Sequence, residues 1–121
     1  LGNKRRFSSN NIECGIAVNP ETDVDKILNY VSKIDNVLIM TVDPGFGGQK
    51  INEKTFNKIT LIRSKLPNIN IQVDGGVNKE NVSQLVNLGA NLIVSGSALL
   101  ENDNLENNLK EFKRRIKSNK N

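Results

Sequence analysis

The chain has 121 residues, 36% of them hydrophobic and 25% charged, with a net charge of +4 at pH 7, a length that suits one modest domain; its mean hydropathy is −0.43, and no apolar run approaches the ~20 residues of a membrane-crossing helix. Histidine is absent and Cys14 is the only cysteine, so imidazole chemistry cannot be completed within the chain, no internal disulfide forms, and a reducing compartment fits. The positive excess gathers at residues 4–6 and 110–120, while one Tyr, four Phe and no Trp leave no aromatic platform beside it; this argues for solvated charge rather than nucleic-acid binding.

Residues 1–12 show no sustained period and read as an irregular segment. Leu1 in place of Met fits a processed chain or a fragment, and Lys4, Arg5 and Arg6 lead into polar Ser and Asn rather than the apolar stretch of a signal peptide. From Glu13 the pattern becomes regular. Residues 14–18 read as a short strand stopped at Pro20, with Cys14 as a buried small residue. Thr22 reads as an N-cap with Asp25 three residues on. Val24, Ile27, Leu28, Val31 and Ile34 then make one helical stripe.

Residues 37–42 predict a fully buried strand, which opens into a loop holding Pro44, Gly45, Gly47 and Gly48. A helix over about 52–66, apolar at Phe56, Ile59, Ile62 and Leu66, ends at Pro67. A strand over 69–73 empties into Asp74-Gly75-Gly76. The next helix has Asn78 as its cap, Val82, Leu85 and Val86 inside, and Gly89 as its stop. The strand 92–94 leads to Gly96-Ser97 and a short helical turn. A last helix over about 104–117 is expected to bury Leu105, Leu109, Phe112 and Ile116, before a disordered tail at 118–121.

Strand–helix, four times over, implies parallel strands with right-handed crossovers. Two architectures fit: a small doubly wound sheet, or half of a (β/α)8 barrel, since a full barrel needs ~200 residues or more. In either, ligands bind at the C-terminal ends of the strands, where the three small-residue loops lie. The glycines of the first loop permit close backbone approach to an anion, or serve a sharp turn alone. Asp74, at a strand tip before two glycines, suits a general base or a hard-metal ligand, or else a helix cap. Gly96 and Ser97 suit a phosphate cradle, with a serine N-cap compatible with the same geometry. Met40, taken alone, reads as core packing.

The segments IAVNPET, VLIMTVDPGFGGQK, IQVDGGV and GANLIVSGSALL, in this order and spacing, resemble the C-terminal half of ribulose-phosphate 3-epimerases over about residues 13–116. The resemblance implies a (β/α)8 TIM barrel of the ribulose-phosphate-binding type, with residues 13–117 supplying its last four strands. It implies interconversion of D-ribulose 5-phosphate and D-xylulose 5-phosphate in the pentose phosphate pathway, by removal of the C3 proton and return of one on the other face. Two aspartates share the acid–base work in that family. With two histidines they ligate one divalent metal (zinc, iron, manganese or cobalt), which stabilises the enediolate.

By position, Asp74 matches one catalytic, metal-ligating and substrate-binding aspartate. Gly45, Phe46, Gly47 and Gly48 match the loop that closes over substrate. Gly75, Gly76, Gly96 and Ser97 match the phosphate-binding positions, and Met40 matches a pocket-lining methionine. The other aspartate and both histidines would lie on strands before Glu13, so the metal site of a single chain is incomplete. Asp43 stands where the family has Glu, Asn or His, and Ile51 where it has Phe.

The resemblance thus implies a sugar-phosphate substrate, with allulose 6-phosphate as the alternative to ribulose 5-phosphate. A non-catalytic phosphate-binding half-barrel is the other reading. A half-barrel has two open edges, so self-association or pairing with an N-terminal half is expected. The expected compartment is the cytoplasm, with no nucleic acid and no membrane as partner.

Overall fold

The computed structural model describes residues 12–30, 33–43 and 49–118. Within them lie four strands: β1 (Gly15–Val18), β2 (Asn36–Met40), β3 (Asn70–Asp74) and β4 (Leu92–Val94). All neighbouring pairs are parallel and the spatial order is the chain order. Between and after them come α1 (Val24–Leu28), α2 (Phe56–Lys65), α3 (Val82–Leu88), α4 (Ser97–Leu100) and α5 (Leu105–Ser118).

The register sets residues in rows across the sheet. Ile16, Val37 and Ile71 form one row, and Val18, Ile39, Val73 and Ile93 another. Side chains alternate between faces along a strand, so both rows point the same way. They join Val24 and Ile27 of α1, Ile59 and Ile62 of α2, Val82 and Leu85 of α3, and Phe112 of α5 in one core. The rows between them, Ala17–Leu38–Gln72–Leu92 and Met40–Asp74–Val94, take the opposite face, where no described residue is fully buried.

All the helices that join the core therefore cover one face. α1 packs on α2, α2 on α3, and α3 on α5. A doubly wound sheet reverses its strand order at a switch point and covers both faces. Sequential order with a single helical layer is the winding of a barrel. The chain forms half of a (β/α)8 TIM barrel.

One-sided cover also corrects several expectations. The 37–42 run is not buried throughout: Val37 and Ile39 are, whereas Leu38 and Met40 on the open face are half-buried. Leu105 and Leu109 on α5 are exposed, whereas Phe112 is buried and Ile116 is partly buried against the core. Cys14 is half-buried.

The caps differ in detail as well. Asp23, not Thr22, caps α1, its carboxylate accepting from the Asp25 N–H at 3.0 Å. The Thr22 hydroxyl accepts from the Asn19 N–H one turn earlier. The α1 stripe stops at Leu28, and Tyr30 and Lys33 donate to carbonyls three residues back, so the connection continues as tight turns. Val31 lies outside the described residues. Asn78 caps the turn that leads into α3, accepting from the N–H groups of Glu80 and Asn81, while Asn81 accepts from the Asn78 N–H. This reciprocal pair does the work of a capping box.

Candidate functional site

The C-terminal rim of the sheet is tied together by polar contacts that follow from where the strands end. The Thr41 N–H donates to the Asp74 carbonyl at 2.9 Å. The buried Thr41 hydroxyl donates to the Gly75 carbonyl. These bonds lock the end of β2 to the end of β3. The Ser95 hydroxyl donates to the Val77 carbonyl at 2.9 Å, which joins the loop after β4 to the loop after β3. A buried donor that loses its partner costs about 1–3 kcal/mol, so these loops hold defined positions.

Asp74 closes β3 and sits between Met40 and Val94 in the last row of the open face. Its side chain is half-buried, and no hydrogen bond reaches its carboxylate from the described residues. Gly75 and Gly76 follow at φ +125° and +70°. A Cβ on Gly76 would stand 2.6 Å from the backbone nitrogen of Ile51, so the chain passes this point only as glycine. Gly96, by contrast, has open space where a Cβ would stand.

Gly76 and Ser97 line one open groove of about 660 Å³, with Lys50, Ile51, Asn78 and Asn81 among its other walls. α4 begins here with Ser97 as its first residue and Gly96 as its cap, so Ser97 is not the N-cap expected from the sequence. Among the described residues of the lining, Lys50 is the one cation, against Glu53, Glu80 and Glu101. An anion beside Gly76 and Ser97 would therefore depend on backbone N–H groups, which the first turn of a helix leaves unpaired.

The structure thus gathers the sequence-derived residues into two neighbouring sets. Met40 and Asp74 share a row on the open face, and Gly76 and Ser97 share a groove. Gly75 connects them along the chain. Gly45, Phe46, Gly47 and Gly48 lie outside the described residues. Sequence reasoning missed Thr41 and Ser95. The available signal was a polar residue where an apolar strand should end: Thr41 within VLIMTV, and Ser95 after LIV.

A divalent metal does not fit the described residues alone. They contain no group of three His, Cys, Asp or Glu side chains able to hold an ion, and the whole chain has no His.

Comparison with known proteins is decisive about ancestry. The profile described as the ribulose-phosphate 3 epimerase family matches residues 5–100. The chain belongs to the ribulose-phosphate 3-epimerase family. It is similar to the ribulose-phosphate 3-epimerase of Candida glabrata, at 41% identity over 93 residues, which is 77% of this chain and 38% of the relative. The Schizosaccharomyces pombe epimerase is 44% identical over 85 residues, 70% of this chain and 37% of its own length. A rice protein, named the cytoplasmic isoform of ribulose-phosphate 3-epimerase, is 38% identical over 88 residues, 70% of this chain and 39% of its own length. The chain spans 37–50% of the length of the curated epimerases it matches. No helix among the described residues is long and apolar enough to cross a membrane.

Proposed function

We propose that this chain supplies the second half of an epimerase barrel acting on ribulose 5-phosphate and xylulose 5-phosphate. In this reading Asp74 is a proton carrier for the C3 carbon. A carboxylate can take that proton and return one when it is held against the carbon and left free of internal partners. The observation that carries the reading is the row Met40–Asp74–Val94 on the open face, with its central carboxylate unbonded by described residues. Met40 and Val94 would give the carboxylate apolar flanks.

The phosphate is assigned to Gly75, Gly76, Gly96 and Ser97, on the support that Gly76 and Ser97 line a common groove. The glycine loop 45–48 is assigned as the flap over the sugar. A divalent metal of the family type, with Asp74 as one ligand, belongs to a complete barrel rather than to this chain. We assign the chain to the cytoplasm, supported by the rice relative named for that compartment.

The test is direct. Purified chain should bind ribulose 5-phosphate in calorimetry, Gly96→Glu should abolish that binding, and solvent deuterium should not enter the C3 position even with added zinc or manganese. No binding to the wild type would overturn the phosphate assignment. Turnover by the unaided chain would overturn the half-site reading.

A further inference from the structure

Consecutive carbonyls at the end of β3 are each held by a donor from outside the segment. Asp74 accepts from the Thr41 N–H at 2.9 Å, and Gly75 from the Thr41 hydroxyl. Gly76 accepts from the Asn81 side-chain amide at 3.0 Å, and Val77 from the Ser95 hydroxyl at 2.9 Å. The N–H groups of the same stretch are arranged otherwise. Those of Gly76 and Val77 donate to no described acceptor. Backbone N–H groups away from water are nearly always paired, and Val77 is a buried residue.

The peptide unit connects the two observations. No peptide bond among the described residues is cis, and in a planar trans unit the C=O of one residue and the N–H of the next point opposite ways. The Thr41 hydroxyl holds the Gly75 C=O, so it turns the Gly76 N–H away from Thr41. Gly76 lines the groove of about 660 Å³, and Thr41 is not part of that lining. Gly75 and Gly76 stand at φ +125° and +70°, where no Cβ restrains the peptide between them. The hydroxyl supplies the restraint that the side chains do not. A buried hydroxyl costs free energy unless it is bonded. Valine would fill the fully buried Thr41 position equally well by shape.

We propose that Thr41 is a positioning residue for the substrate phosphate. Its hydroxyl fixes the Gly75–Gly76 peptide so that the Gly76 N–H is aimed in advance at the anion. Asn81 and Ser95 hold the next two carbonyls and keep the loop from turning. A donor fixed before binding loses no ordering entropy when the anion arrives. The proposal rests on the phosphate assignment made above, and the experiment separates the two.

Inorganic phosphate is titrated into isotope-labelled chain, and amide proton shifts are followed by NMR. The Gly76 amide should move downfield and saturate together with that of Ser97. A saturable shift at Ser97 with Gly76 unmoved would overturn the role of Thr41 and leave the phosphate groove standing. No saturable shift at either would overturn the phosphate assignment itself, and this proposal with it. Thr41→Val removes the hydroxyl and keeps the N–H bond to Asp74. It should weaken phosphate binding about tenfold and abolish the Gly76 shift. Thr41→Ser should restore both. A Thr41→Val chain with a lower melting temperature but wild-type phosphate affinity would make the hydroxyl purely structural and overturn the proposal. Ser95→Ala gives the second variant should Thr41→Val not fold. It releases the Val77 carbonyl and should weaken phosphate binding about threefold; unchanged affinity there would overturn the proposal as well.

Discussion

The two faces of the sheet differ in composition before they differ in environment. The helix-covered face is Ile or Val at every position in its rows: Ile16, Val18, Val37, Ile39, Ile71, Val73 and Ile93. The open face holds Ala17, Leu38, Met40, Gln72, Asp74, Leu92 and Val94. β-Branched side chains are stiff and fill a pleated surface well, so the first set specifies packing. The second mixes leucine and methionine with small and polar groups and a single β-branched residue, Val94, and holds the one carboxylate in these rows. One face is built to fold, and the other to meet something.

The sharpest way to break that contrast is to cut equivalent volumes from both faces. Ile39 is fully buried, and Ile39→Ala should lower unfolding free energy by about 2–5 kcal/mol. Leu38, its half-buried neighbour on the other face, should cost about 1 kcal/mol or less as Leu38→Ala. Urea unfolding at low and high protein concentration measures both. Equal losses at low concentration would mean that the open face is packed within the single chain.

The loops allow a second contrast. Gly76→Ala forces a left-handed residue against the Ile51 backbone, and should destabilise by about 1–3 kcal/mol. Gly96→Ala meets open space and should leave the melting temperature unchanged. If both weaken sugar-phosphate binding, only the Gly96 effect can be attributed to the ligand site, since Gly76 also distorts the loop.

What the sequence revealed follows the same division. The strands announce themselves as short apolar runs, and all four were legible from them. Single-sided cover was not legible, because VLIMTV looks alike whether one or both faces are packed; the order of strands in space decided it. Thr22 and Asp23 both have capping side chains, and only the backbone reveals that each caps a different turn. Asp35 was missed altogether. It is buried, and its carboxylate accepts from the Cys14 N–H at 2.8 Å, a contact across 21 residues that no local pattern encodes. The site was legible where its residues end strands, at Asp74 and Gly75-Gly76. The partnership of Gly76 with Ser97 depends on the Ser95–Val77 bond, which is tertiary.

Asp74 sharpens the comparison from the functional side. Its carboxylate supports no described contact, so Asp74→Asn should change stability by no more than about 0.5 kcal/mol and leave ribulose 5-phosphate binding in place. In a barrel completed with the N-terminal half of a relative, the same change should abolish exchange of the C3 proton. A large stability loss would instead make Asp74 a structural residue.

The smallest effect is expected at the far end of the helical layer. Glu111 on α5 accepts from Arg114 and Arg115, and these hydrogen bonds hold its carboxyl at about 2, below its ordinary 4.5. A carboxyl whose folded value is depressed contributes stability that is fully present above the unfolded value and lost as pH falls through the folded one. The contribution should therefore be intact above pH 4.5 and decline toward pH 2. The pair lies at the surface, where ion pairs are screened, so Glu111→Gln should shift the melting temperature only slightly at pH 7 and not at all in high salt. A salt-resistant loss would require α5 to be covered in solution.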